Sequence, residues 1–276
     1  MDLPLSGPLL RPGLLAAGVT DHELRRLRRP EDRHALLVAA AVPRVAADAV
    51  VSHVSAAVLH GLPVWALALD RVHTTRPRRT SAVRTGRLHV HTAPLCAEDV
   101  CEVGGVRATS VARTLADVAR TAAFEQAVVV LDAALRRHLV SREELHAVLA
   151  WMPRWPGVPA ARRAVAFADP GAASPGESRS RVAMARLGVA MPVLQWKVRS
   201  PSGVVLGTAD FGWPEHGWAG EFDGLVKYGR TGQQASDVVV AEKRREDAMR
   251  TVLRGFTRWT WGELAAFAEV ARRLPN

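Results

Sequence analysis

The residues best suited to chemistry lie in GTADFGWPEHGWAGEFDGLVKYGR, residues 207–230. The stretch alternates like a β-hairpin, yet it sets Asp210, Glu221 and Asp223 among Trp, Phe, Ala and Gly. Asp210 and Glu221 are equally far from the midpoint of PEHG (214–217), so a hairpin closed symmetrically there places them opposite one another. Glu221 and Asp223 are two apart and share one strand face. Like charges so opposed destabilise a sheet, unless a divalent cation lies between them. Carboxylate oxygen with water is the ligand set of Mg²⁺, so Asp210, Glu221 and Asp223 are the expected ligands of Mg²⁺ or Mn²⁺. The competing reading makes Asp223-Gly224 a strand-ending turn and pairs Asp210 with an Arg. A slip of one residue in the turn would destroy the arrangement. Glu177, in SPGESRSRVAMARLG, is a fourth candidate; equally, Ser174, Pro175 and Glu177 read as the cap of a helix.

Other chemistry-bearing residues are more scattered. His53 and His60 are too far apart for an i, i+4 metal pair, so packing or capping is the expected role. His89 and His91 alternate on one strand, with no third ligand in view for zinc. Cys96 and Cys101 lack the second pair of a zinc motif, and two free thiols fit a reducing cytoplasm. No Ser/His/Asp or Cys/His hydrolase motif is present.

The elements that must position these residues can be read in outline. LLAAGVTDHELRRLRR reads as helix, turn, helix, with Thr20 and Glu23 as a capping box. Its second helix displays Arg25, Arg26, Arg28 and Arg29, as helix-turn-helix proteins display residues to DNA. AVVSHVSAAVLHGLPVW has helical spacing and stops at Gly61 and Pro63. From Arg71 to Thr109 short strands take over: RVHTTRP, GRLHVHTA and EDVCEVGGVRAT, with the basic loop TTRPRRTSAVRTGR between the first two. Three helices follow, SVARTLADVAR, FEQAVVVLDAALRRHL and SREELHAVLAWM. The stretch WMPRWPGVPAARRAVAFADPGAASPG is rich in Pro, Gly and Ala and reads as a domain boundary near residue 170. Beyond it the order is helix 174–188, strands 193–200, 204–214 and 218–224, helix 236–254, strand 255–260 and helix 262–273. The expected fold class is multi-domain α/β, with regions 1–70, 71–169 and 170–276.

The 276 residues carry a formal net charge of +10, and 48% are hydrophobic, enough for a sizeable core. Removing Lys197, Lys227 and Lys243 from 37 basic residues leaves 34 arginines. A balance this basic points to a polyanionic partner, with DNA foremost. The N-terminal stretch has no basic n-region, and no apolar run reaches a membrane span, so a cytoplasmic protein is expected.

The C-terminal third resembles the PD-(D/E)XK nuclease superfamily, in the branch near the very-short-patch-repair endonucleases. The resemblance rests on ESRSR (177–181), Gln195 in VLQWKV, Asp210 in ADFGWP, EFDG (221–224), AEKRREDAMR (241–250) and RWTW (258–261). It implies a restriction-endonuclease fold, a mixed central sheet flanked by helices, and metal-dependent cleavage of DNA. Asp223 stands where the superfamily pattern has a lysine. That lysine positions the attacking water, and Lys243, or secondarily Lys227, is the expected substitute. A surface pair of Lys243 with Asp247 is the competing role. Gln195 would hold metal, water or phosphate, and Arg244 and Arg245 would steady the DNA backbone. The first 150 or so residues resemble the antitoxins of abortive-infection type IV toxin–antitoxin systems, through the helix-turn-helix segment, SHVSAAVLHGLP and GVRATSVARTLADVAR. That resemblance implies a DNA-binding winged helix, a small α+β module and a cognate toxin as partner. Between Arg29 and His34 there is little room for wing strands.

Two functions follow. One is a DNA-binding, metal-dependent endonuclease, a hydrolase of phosphodiester bonds. The other is a non-catalytic, antitoxin-like transcriptional regulator that keeps a degenerate nuclease fold.

Overall fold

The computed structural model describes residues 29–77, 83–224 and 243–275, without the side chains of Val83 and Arg84. The chain divides at Asp169/Pro170 into two compact units. This is where the Pro/Gly/Ala-rich stretch suggests a boundary. Both units are mixed α/β, with a mixed sheet in each.

The N-terminal unit is built on a six-stranded sheet of order β3-β4-β2-β1-β6-β5. Its strands are β1 (Val50–Val51), β2 (Val72–Arg76), β3 (Val83–Arg84), β4 (Leu88–Thr92), β5 (Val100–Val103) and β6 (Val106–Thr109). β1 pairs antiparallel with β2 and parallel with β6, while β2 and β4 run parallel. The sheet therefore runs across residue 70, because a two-residue strand from the 1–70 region lies inside it. Two helices precede or interrupt it, α1 (Pro30–Ala41) and α2 (His53–Leu59). Val38, Val51, Ala56, Leu59, Val72 and Ala108 form the core beneath. The second layer holds α3 (Val111–Thr121), α4 (Phe124–Arg136), α5 (Arg142–Ala150) and α6 (Val158–Phe167). Ser110 and Ser141 accept the N–H groups of Arg113 and Glu144, and Glu144 returns the bond, as the sequence leads one to expect for the last of these. The α6 helix, not named from the sequence, occupies the stretch that precedes the boundary near residue 170. Gly157 and Pro159 sit at its N-terminus, where they start a helix, and Val158, Ala161, Ala164 and Val165 bury its apolar face.

The C-terminal unit begins with α7 (Pro175–Arg186) and carries a four-stranded sheet of order β10-β9-β8-β7. The strands are β7 (Val193–Arg199), β8 (Val205–Trp213), β9 (Trp218–Asp223) and β10 (Gly255–Thr260). The first three form an antiparallel meander, and β10 joins β9 in parallel. A helix over 243–250 (α8) precedes β10. The expected closing helix is two short ones, α9 (Trp261–Ala265) and α10 (Phe267–Ala271), because Ala266 has φ −121° and ends the first. Met184, Phe211, Trp213, Trp259, Phe267 and Val270 make the core, with Phe211 stacked on Trp259 at 5.0 Å.

The helix-turn-helix segment, with Thr20, Glu23, Arg25, Arg26 and Arg28, lies outside the described residues, as does Lys227. Among the described residues no helix is long and apolar enough to cross a membrane.

Candidate functional site: a carboxylate cluster on the C-terminal sheet

The β8–β9 register pairs Phe211 with Gly220, Gly212 with Ala219 and Trp213 with Trp218. This is symmetric about PEHG, whose backbone makes a single 3₁₀ turn and exits through Gly217 at φ 60°. Carried one residue further, the register brings Asp210 opposite Glu221. There the ladder gives way: Asp210 Oδ2 accepts the N–H of Phe222 at 2.9 Å, so a side chain takes a backbone donor that a strand carbonyl would otherwise hold. On the other side, β7 pairs Leu194 with Phe211 and Trp196 with Ala209, which places Gln195 level with Asp210. Gln195 sits at φ 50°, a left-handed conformation that costs a non-glycine residue about 1–3 kcal/mol. Parallel pairing of β10 sets Arg258 beside Glu221. Gln195, Asp210, Glu221 and Arg258 thus form one row across four strands.

Glu177 reaches this row from the first turn of α7. Its Oε1 accepts from Ser174 Oγ at 2.8 Å, and its Oε2 accepts from Ala173 N at 2.8 Å and from Gln195 Nε2 at 3.1 Å. Ser174 Oγ in turn accepts the Glu177 N–H at 3.2 Å. Glu177 therefore caps the helix and stands in the cluster at once. Gly176 makes the approach feasible, because a Cβ there would lie 1.9 Å from the Phe222 ring.

Burial, followed by the charge of Glu177 and then that of Glu221, pushes the Asp210 carboxyl up to about 7; the Phe222 N–H and Arg245 oppose the rise. Glu221 is 7% exposed, and both its oxygens are held: Oε2 by Arg258 Nη2 at 2.7 Å and Oε1 by Arg245 Nη2 at 3.3 Å. Arg258 also donates to Glu246 at 2.8 Å and feels the charge of Asp223, which is half-buried at the end of β9. Arg258 lies inside the RWTW motif, but its sequence carries no sign that it answers Glu221. Strand adjacency across 37 residues supplies that link.

The remaining expected site residues are placed as follows. Arg245 and Met249 turn toward the sheet, where their side chains crowd Gly207. Lys243 is exposed and two residues from Arg245, about 200° round the helix. Arg244 is exposed as well. Arg29 is exposed, with Glu31 at 3.9 Å.

A second group of ligand-type residues lies in the N-terminal unit. Among the described residues, only His53, His73 and His91 bring ligand atoms all within 4.8 Å of one another. The carboxylates are not drawn together so closely. His53 opens α2, His73 lies on β2 and His91 on β4. The two partners of His91 that the local spacing of His89 and His91 does not reveal are His73, from another strand, and His53, from a helix. His53 and His91 stack at 3.7 Å. Burial, then neighbouring positive charge, lowers His53 well below the usual imidazole value and His91 to about 2. A cavity of about 930 Å³ elsewhere in this unit is lined by Arg113, Leu139, Val148, Trp151 and Trp155 among others, and none of the carboxylate cluster lines it.

The chain is 35% identical over 123 residues to two curated relatives from Mycobacterium tuberculosis, the uncharacterized proteins Rv2248 (strain H37Rv) and MT2308 (strain CDC 1551 / Oshkosh). The match covers 45% of this chain and 45% of each relative, so the chain spans under half the length of the curated relatives it matches. No family model matches the chain, and no solved structure does.

Proposed function

We propose that the C-terminal unit is a metal-dependent nuclease of DNA, holding Mg²⁺ or Mn²⁺ with Asp210, Glu221 and Glu177 and with Asp223 at the margin. The supporting observation is the Asp210 carboxyl, raised to about 7 by burial and by Glu177 and Glu221. Such a group is short of positive charge in its own folded environment. The donors on offer are carboxylate and amide oxygen, which fits a hard divalent cation. When bound, such a cation lowers the pKa of a water ligand and neutralises charge developing on a phosphate. The protein's own groups do the rest. Gln195 fixes one oxygen of Glu177, leaving the carboxylate oriented toward the row. Arg258 and Arg245 each hold one oxygen of Glu221, and Arg245 has the longer and more easily yielded contact. Asp210 would hold the cation as a carboxylate, beside Glu221 and Glu177. Lys243, on the far side of α8 from Arg245, is poorly placed to orient water at the row. The basic charge of the chain, exposed Arg244 included, supports contact with DNA phosphates.

A second reading draws on the same cluster. Two guanidiniums already occupy Glu221, which suits a nuclease-like fold serving an antitoxin-like, DNA-binding regulator with a toxin as partner. Incubation of purified protein with plasmid and single-stranded DNA, with and without Mg²⁺ or Mn²⁺, separates the two. Metal-dependent cleavage lost in Asp210→Asn and Glu221→Gln, with DNA affinity retained, is the expected result. DNA binding without cleavage under any metal would pass the assignment to the regulator.

A further inference from the structure

We propose that His53, His73 and His91 form a transition-metal site of the zinc class in the N-terminal unit, separate from the carboxylate cluster. His91 Nε2 and His73 Nδ1 stand 3.1 Å apart, and one ring nitrogen from each of His53, His73 and His91 lies within 4.8 Å of the other two. Two imidazoles on one tetrahedral Zn²⁺, with Zn–N about 2.0–2.1 Å, have their nitrogens about 3.3 Å apart. The His73–His91 pair already has that separation. It joins by one hydrogen bond two rings that a metal would join by two bonds.

The surroundings favour a built site over chance packing. His53 is 2% exposed and sits at φ 53°, a strained position for a non-glycine residue at the first turn of a helix. Its ring orientation is set from both sides. Arg120 Nη2 lies 3.2 Å from His53 Nε2 and can only donate, so the ring proton is on Nδ1 and is given to Ser52 Oγ at 3.0 Å. Thr75 Oγ1 donates to the same Ser52 Oγ at 2.8 Å. A ligating histidine whose other nitrogen is fixed by an outer partner is the usual arrangement around a bound metal. Metal entry displaces the terminal nitrogen of Arg120, whose Nε stays on Asp117 Oδ1 at 2.8 Å; it also replaces the His73–His91 hydrogen bond and turns His91 out of its stack on His53, since parallel stacked rings do not aim their nitrogens at one ion. Asp117 is fully buried, holds Arg113 at 2.9 Å and lies 3.9 Å from His53 Nε2. It remains in the outer shell, its charge shared by two arginines. His89, whose ring centroid is 4.0 Å from that of His91, packs against the group. Three imidazoles with a fourth position left to water or a small anion is the ligand count of an open zinc site. SHVSAAVLHGLP supplies His53 and GVRATSVARTLADVAR its partner Arg120, while His73 and His91 come from the parallel strands β2 and β4.

The test is calorimetric titration of the chelator-treated full chain with Zn²⁺, alongside Co²⁺ visible spectra. Wild type should bind one Zn²⁺, with the intense d–d bands of tetrahedral Co²⁺. The double variant Asp210→Asn/Glu221→Gln should do the same, which separates this site from the carboxylates. His73→Ala and His91→Gln should lose the binding step, Ser52→Ala should weaken it about tenfold or more, and His60→Ala should leave it unchanged. His91 is only half-buried, so His91→Gln keeps the test open if His73→Ala fails to fold. Wild type that binds no Zn²⁺, or His91→Gln that binds it as wild type does, overturns the site.

Discussion

Asp210 has a folded-state pKa near 7, above its ordinary 3.8, because burial and two neighbouring carboxylates disfavour its charge. Below pH 4 it is protonated in both folded and unfolded chains and has no effect on the balance between them. Between pH 4 and 7 the unfolded chain gives up the proton first, so stability falls as pH rises through that window and stays lower above it. Asp210→Asn should therefore stabilise the metal-free protein at pH 8 by on the order of 2 kcal/mol, allowing for solvent screening, and have little effect near pH 4. Denaturant curves at the two pH values check this, and equal effects at both would contradict the raised pKa. Arg258 supplies the opposite case. Its loss strips the nearly buried Glu221 of its closer partner, and Arg258→Ala should destabilise by about 1–2 kcal/mol, the half-exposed guanidinium limiting the size. If cation and arginine compete for Glu221, Mn²⁺ should raise the melting temperature of this variant more than that of wild type. An equal rise in both would show that Glu221 is no metal ligand.

At the scale of elements, the cluster depends on how α7 meets β9. The helix can bring Glu177 to the row only because Gly176 leaves space for the Phe222 ring. Gly176→Ala should cost about 1–3 kcal/mol through overpacking and should weaken Mn²⁺-dependent stabilisation as Glu177 is levered away. A destabilised variant with an intact metal response would mean that Glu177 acts as a cap alone. Much of this geometry was legible in the sequence. Hairpin symmetry about PEHG and the Ser174/Glu177 cap are both local patterns, in which residues a few positions apart constrain one another directly. The left-handed backbone of Gln195 has no local sequence sign, and the answering Arg258 comes from a strand that reaches β9 only after a long excursion of the chain.

At the scale of the molecule, the two compact units have separate cores, and the C-terminal one contains every member of the carboxylate cluster. A fragment of residues 170–276 should therefore unfold cooperatively by itself and keep the metal response of the full chain. A fragment that lacks a cooperative transition would show that its core is incomplete alone. For the full chain, DNA affinity should fall by about 10³–10⁵ between 50 and 200 mM salt if six to ten phosphates are contacted. Affinity that ignores salt would remove DNA as the partner of the +10 charge. The sequence by itself determined the boundary near residue 170, most of the strands and helices, and the facing of Asp210 and Glu221, because turn chemistry, capping and alternation act over short stretches. It did not name α6, where Pro and Gly begin a helix that buried alanines and valines complete. Only the tertiary structure decided that two arginines answer Glu221 and that His53, His73 and His91 meet. Those contacts join residues dozens of positions apart, through parallel β2–β4 and β9–β10 pairing and a helix docked beside the sheet. Long-range pairing is selected by burial of the whole core, and no local pattern of residues encodes it.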